Sequence, residues 1–374
     1  MGIYIAEFFC VLLLGMLFNA KIVKIRLKNK EQIFLKIVFF MLFLVMALRE
    51  PHLGTDSWMY GNIYERVGRA SSLQEAFVSS TIDAPLYVAI CRLLSYFFPN
   101  RQALIIVSAA AVLLGFYNYI KRESKDYSTS SLLFLTLVFY FQSFNGTRQF
   151  IAIALLLNAY SYWSDDIKNY KGWICYAAAV LIHSTAFAGI IFLLLQYGGK
   201  KRASEVGMLI RGAVITSAAV FGQTLIISLF LRLFPQYSKY FFGSNGHSFF
   251  DAYGQGRQII IYVGYLIILI YALIQIRSTS KIENYANFHK QYNLMLMAAL
   301  LGITGSKSWA INRINFYFTS VAICFIPNAL LISKRYRQVN NAVRILTVML
   351  TAMYCYIYLS EDKAGIVPYS FFWQ

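Results

Sequence analysis

Residues Gln258–Ile276 read QIIIYVGYLIILIYALIQI, a run without a single charged side chain. A helix needs about 20 such residues to cross the hydrocarbon core of a bilayer. Comparable runs recur at Ile3–Ala20, Ile33–Leu48, Ala103–Ile120, Ser131–Phe144, Gln149–Trp163, Met208–Phe234, Tyr292–Thr304, Ile314–Ser333 and Ala342–Leu359. Several are short for a crossing, which points to tilt, local thinning or buried ends. Of the 374 residues, 59% are apolar and 13% are charged, against about 25% charged in a soluble domain. The expected fold is all-α: a polytopic membrane protein with about 10–12 transmembrane segments, some broken or re-entrant. It reads as one membrane domain over residues 1–374. The first run lacks a basic leader and a small-residue cleavage site, so it reads as a retained span.

The net charge of +18 does not signal nucleic acid. Positive residues collect in cytoplasmic loops, and here they cluster at Lys21–Lys30, Lys200–Arg202 and Lys334–Arg337. The first cluster puts the first connection inside and the N-terminus outside. The segment 49–102 then lies on the outer face, Lys121–Lys125 inside, the Phe144–Arg148 hairpin outside and Lys168–Lys171 inside. The apolar run Trp173–Tyr197 has basic flanks on both sides. A broken pair of half-helices turning near His183 resolves this, and both termini come out outside. In the competing topology Pro85–Phe98 spans and Trp173–Tyr197 crosses once. That arrangement puts Lys121–Lys125 outside, against the charge bias.

The five cysteines form no C-x-x-C pair, so neither a metal site nor a disulfide framework is indicated. Walker, Rossmann, zinc-helix and G-x-S-x-G patterns are absent, leaving no visible use for ATP or another cofactor.

Charges at membrane depth are costly and mark functional positions. The stretch Arg49-Glu50-Pro51-His52-Leu53-Gly54-Thr55-Asp56-Ser57-Trp58-Met59-Tyr60 ends one helix at Pro51. Gly54 permits a turn, and Thr55 or Asp56 caps a helix from Ser57. Arg148 and Gln149 open a helix where the dipole disfavours a cation, which suggests a clamp for phosphate or carboxylate; the plainer alternative is a snorkelling arginine. His183 is the one histidine within an apolar run; it serves either helix packing or proton transfer. Arg313 starts a helix that contains Tyr317.

These residues, in order, resemble the EpsG family of Wzy-type polysaccharide polymerases. The likeness is carried by Arg49 with Gly54-Thr55-Asp56 and Tyr60, Arg148-Gln149 with Ala152, His183-Ser184 with Ala186, Arg313 with Tyr317-Phe318, and Val367-Pro368-Tyr369. Asp83-Ala84-Pro85 departs from the Glu-Pro or Glu-Gly type element expected there. The resemblance implies a bacterial plasma-membrane (inner-membrane) enzyme that joins undecaprenyl-pyrophosphate-linked repeat units into O-antigen, capsule or exopolysaccharide at the outer face. It implies no metal and no nucleotide sugar. The implied partners are lipid-linked glycans, membrane lipids, a chain-length regulator and a flippase.

On this reading a hydroxyl of one unit attacks the anomeric carbon of the growing chain, with inversion. His183 or Asp56 takes the proton, and Arg148, Arg49 and Arg313 neutralise pyrophosphate. Gln149, Tyr60, Thr55 and Tyr317 support them. A lipid-linked oligosaccharide flippase would share the anionic substrate, but no internal repeat of the transporter kind is visible. An O-antigen ligase would share the donor and differ in acceptor.

The orientation is checked by thiol labelling after removal of the native cysteines. A cysteine at Ser248 should react with a membrane-impermeant reagent, and one at Ser280 only after permeabilisation. The reverse pattern would detach the arginines from the outer face.

Overall fold

The computed structural model describes residues 1–19, 29–196, 223–233, 258–277, 285–305, 309–362 and 364–374, with a few single positions between 207 and 235. Lys21, Lys24, Arg26 and Lys28, the cluster at 200–202, Arg257, Lys307, Ser248 and Ser280 lie outside the described residues, as does most of the expected span Met208–Phe234. The described residues are helical, with one isolated β-bridge. They divide into two compact units, 1–187 with 341–374, and 188–340.

In the first unit, α1 (Gly2–Asn19) and α2 (Lys30–Ala47) follow their apolar runs closely. Three helices then fill the segment expected on the outer face: α3 (Ser57–Arg69), α4 (Leu73–Ser80) and α5 (Pro85–Phe97). Helix α3 places Tyr60, Ile63, Tyr64 and Val67 on one face, the spacing of an amphipathic helix. That face packs with Tyr87, Val88 and Cys91 of α5. Ser72 caps α4 by accepting from the Glu75 amide. Helices α4 and α5 meet at 118°, and Pro85 opens α5 where its missing N–H does no harm.

Helix α6 (Arg101–Glu123) spans about 34 Å at 1.5 Å per residue. It packs on α2 and on α9 (Thr147–Asp165), and α9 packs antiparallel on α10 (Tyr170–Ile182). The α6–α9 contact is close because Gly115 has no side chain; a Cβ there would stand 2.5 Å from Ala154 Cβ. The last helix, α17 (Arg337–Ser360), turns Ile345, Leu346, Met349, Leu350, Met353 and Tyr356 outward.

The run Ser131–Phe144 is not one helix. It divides into α7 (Tyr127–Thr136) and α8 (Phe139–Gln142), because Val138 adopts a left-handed backbone with φ 61°. A β-branched residue is strained there.

The second unit holds α11 (Ile190–Gln196), α12 (Gln223–Leu233), α13 (Gln258–Arg277), α14 (Tyr285–Thr304), α15 (Trp309–Thr319) and α16 (Ala322–Ala329). Helix α13 exposes Ile260, Val263, Ile267, Ile270 and Ile274 in a stripe of helical spacing. Such a stripe suits lipid, because helical backbone satisfies itself and only side chains meet the hydrocarbon. The expected single span Ile314–Ser333 is broken into α15 and α16. Ser320 Oγ donates to the Tyr317 carbonyl at 2.9 Å, competing with the helical ladder. Pro327, inside α16, has no N–H to give.

If α6 and α9 depend on that close approach, Gly115→Ala should destabilise the detergent-solubilised protein by about 1–3 kcal/mol, the usual result of overpacking. Adding Ala154→Gly should restore most of the loss. Melting temperatures of the two variants check this, and equal values would show that the helices separate freely.

Candidate functional site

Arg49 follows α2 at 3% exposure. Its Nη2 donates to the Phe144 carbonyl at 3.0 Å, and its guanidinium lies 4.5 Å from the centre of the Phe144 ring. Nε and Nη1 are buried without hydrogen-bond partners. Burial pulls its pKa down to about 10, with the hydroxyls of Tyr4, Tyr140 and Tyr369 opposing the shift. The group is therefore a cation at neutral pH, and no carboxylate is paired with it among the described residues.

Arg148, in the first turn of α9, lies 5.5 Å from the ring of Tyr60 and 5.7 Å from that of Tyr87. Cation–π contacts replace an ion pair here, and its buried Nε has no hydrogen-bond partner. Tyr60 and Tyr87, though not Arg148 itself, help line an open cleft of about 340 Å³ counting its mouth. Arg49, Ser57, Tyr60, Gly61, Tyr87, Arg101, Ser108 and Thr147 contribute to its walls, with Leu104 and Ile105 on the α6 side.

Among the wall residues that the sequence does not single out are Arg101 and Tyr87. Arg101 begins α6, where a cation opposes the helix dipole. The same misfit that marks Arg148 could have marked it. Tyr87 lies on α5 with its hydroxyl beside the Cys91 thiol, and nothing in its sequence context distinguishes it from a core tyrosine.

The loop carrying Arg49 is held by the segment after α17. Arg49 and Phe371 form an antiparallel bridge. The amides of Glu50, Gly54 and Thr55 donate to the carbonyls of Ser370, Gly365 and Ala364 at 2.9, 2.8 and 3.1 Å. Asn145 of the α8–α9 hairpin donates to Ala364 O at 2.6 Å, Tyr369 to Val45 O at 2.9 Å, and Tyr4 to Ile366 O at 2.9 Å. Gly54 has φ +112°, and a Cβ there would stand 2.5 Å from Asn145 Oδ1, so only glycine suits the turn.

The other expected residues are placed as follows. Asp56 occupies the N-cap position of α3 without a side-chain cap bond, and Thr55 precedes it. Gln149 is buried in α9. His183 ends α10 with extended backbone, its Nδ1 2.6 Å from Thr185 Oγ1. The break expected in Trp173–Tyr197 thus falls at His183, before a 3-10 turn (Ser184–Gly189).

His183 is not among the residues lining the cleft. Trp163 of α9 meets Trp173 edge-on and Tyr176 at a tilt, both on α10, which sets the helix register. From that level α9 climbs about 22 Å to Arg148 and α10 about 15 Å or less to His183. Arg313 and Tyr317 lie one turn apart on α15, in the second unit, with Tyr317 fully buried.

The EpsG family model matches residues 32–371, a range that takes in every residue lining the cleft. No curated protein and no solved structure matches the chain.

The latch on the Arg49 loop is open to test. Gly365 has φ +62°, and a Cβ on it would stand 3.2 Å from Thr55 Cγ2. Gly365→Ala should destabilise the protein by about 1–2 kcal/mol through the left-handed backbone. Thr55→Ser should relieve only the steric part. A melting temperature unchanged in Gly365→Ala would mean that the segment is not held against the loop.

Proposed function

The chain belongs to the EpsG family, a family of membrane proteins of the polysaccharide-polymerase type, and we propose that it joins undecaprenyl-pyrophosphate-linked repeat units at the outer face of the bacterial inner membrane. One observation carries this reading: Arg49 lines the cleft, Arg148 packs against the Tyr60 and Tyr87 rings that wall it, and neither arginine is paired with a carboxylate among the described residues. Leaving a buried charge uncompensated costs several kcal/mol. An anion that supplies the missing acceptors removes that penalty, and a lipid pyrophosphate is such an anion.

The reaction follows from these groups. A hydroxyl oxygen of the incoming unit bonds to the anomeric carbon of the growing chain. The bond from that carbon to the pyrophosphate oxygen breaks, which inverts the centre. Charge gathers on the departing oxygen, where the two guanidinium groups stabilise it. Pyrophosphate is a weak base and leaves without a proton or a metal ion. The hydroxyl proton passes to the carboxylate of Asp56, which borders the Arg49 loop; His183 is the second candidate and lies deeper along the bundle. Thr55, Tyr60 and Gln149 support the site from adjoining turns. A chain-length regulator and a flippase are the partners such a polymerase would use.

The test uses purified protein and one defined lipid-linked repeat unit. Arg148→Ala should lower polymer formation by roughly 10²–10³-fold, the scale for losing one charge-stabilising group. Arg148→Lys should also be impaired, since lysine lacks the planar fork. Wild-type polymer from Arg148→Ala would end this reading. Asp56→Asn should slow transfer roughly 10²–10⁴-fold with donor binding retained; if His183→Ala does so instead, the base is reassigned.

A further inference from the structure

Resting on the pyrophosphate reading, we infer that the cleft is divided by charge: its Arg101 end, where Glu65 and Asn62 hold the guanidinium, binds an uncharged sugar ring, next to a phosphate end at Arg49 and the Tyr60 and Tyr87 rings backed by Arg148. Arg101 lines the same cleft as Arg49 but is differently furnished. Its Nε donates to Glu65 Oε1 at 2.6 Å and its Nη2 to Asn62 Oδ1 at 3.1 Å. The glutamate cancels the charge of the guanidinium, and together with the asparagine it fixes the plane. Glu65 is correspondingly held below the usual carboxylate range, first by the hydrogen bond from Arg101.

Gly61 makes the arrangement possible. A Cβ on it would stand 3.0–3.2 Å from Cδ, Nη1 and Nε of Arg101, so the guanidinium lies flat on the α3 backbone. The side chains of Arg101 and Glu65 are 22% and 35% exposed, fixed yet within reach of a ligand.

As a staple between α3 and α6 this pair is a poor device. Exposed ion pairs contribute about 0–1 kcal/mol. As a recognition surface it is well composed. It offers N–H donors beside carboxylate and amide oxygen acceptors, and sugar hydroxyls both donate and accept. A second phosphate at this end would face the Glu65 carboxylate. Along α3, Glu65 lies about 7.5 Å from Tyr60 at 1.5 Å per residue, a gap that a monosaccharide bridges with its hydroxyl groups and their hydrogen bonds. A sugar joined to a phosphate seated beside Tyr60, at the Arg49 end, would therefore reach it.

The experiment measures the affinity of the full chain in nanodiscs for two lipids. One is undecaprenyl pyrophosphate; the other is the same lipid carrying one uncharged N-acetylhexosamine. Glu65→Gln and Asn62→Ala should each weaken the sugar-bearing lipid by about tenfold, the scale of a hydrogen bond involving a charged group. The bare lipid should bind Asn62→Ala unchanged, and Glu65→Gln equally or more tightly, because Arg101 is then unneutralised. Asn62→Ala removes only one contact to Arg101 and keeps the test alive if Glu65→Gln misfolds. Equal weakening of both lipids, or no change in either, overturns the sugar subsite. Failure of the wild-type chain to bind either lipid overturns the pyrophosphate reading itself, and this inference with it.

Discussion

A guanidinium at 3% exposure that makes one hydrogen bond and keeps two nitrogens without partners is the constraint around which the first unit is arranged. Taking such a charge out of water is expensive, and imperfect pairing leaves most of the penalty in place. The surroundings of Arg49 offset part of it. The Phe144 ring presents its negative face, and the hairpin that carries Phe144 supplies a carbonyl. Gln102 of α6 donates to the carbonyls of Ala47 and Arg49 at 2.6 and 3.3 Å, which fixes the end of α2. Beneath, the Tyr140 hydroxyl stands 2.9 Å from both Glu7 Oε1 and the Leu42 carbonyl, tying α1 and α2 to α8. Remove the cation and these contacts lose their common centre.

The helices that cross or pack within the membrane were readable in the sequence because a long apolar run admits few alternatives. The residues from Gly2, Lys30, Arg101, Thr147 and Gln258 onward form helices close to where hydropathy placed them. The breaks were less readable. Val138 is flanked by apolar residues and belongs to a type that ordinarily avoids left-handed backbone, so nothing local announces the turn. Ser320 did carry a signal, since a hydroxyl within an apolar run competes for the ladder, and Pro327 carried another. Length alone overrode both.

The site was partly legible for a related reason. Arg49 and Arg148 stand out because cations at the mouths of apolar segments are unfavourable unless used, and Tyr60 was drawn in through the turn that precedes it. Arg101 obeys the same rule but begins a span so regular that it reads as a flank. Tyr87 depends on α5 folding back onto α3, a tertiary event with no local signature. The clasp formed by residues 364–372 is the extreme case: Tyr369 and Ser370 reach Val45 and Glu50 through pairings that hydrophobic periodicity does not encode.

That clasp also dates the site within the life of the polypeptide. Ser370 and its partner Glu50 are separated by 320 positions. At ribosomal speeds of about 5–20 residues per second, roughly 15–60 s pass between the synthesis of one and of the other. During that interval the loop that carries Arg49 lacks its strand partner, Phe371. The latching of that loop is consequently a late step of biogenesis. A ribosome that stalls in the final helix would leave an inserted but unlatched protein, distinguishable by its accessible loop from one that has been finished.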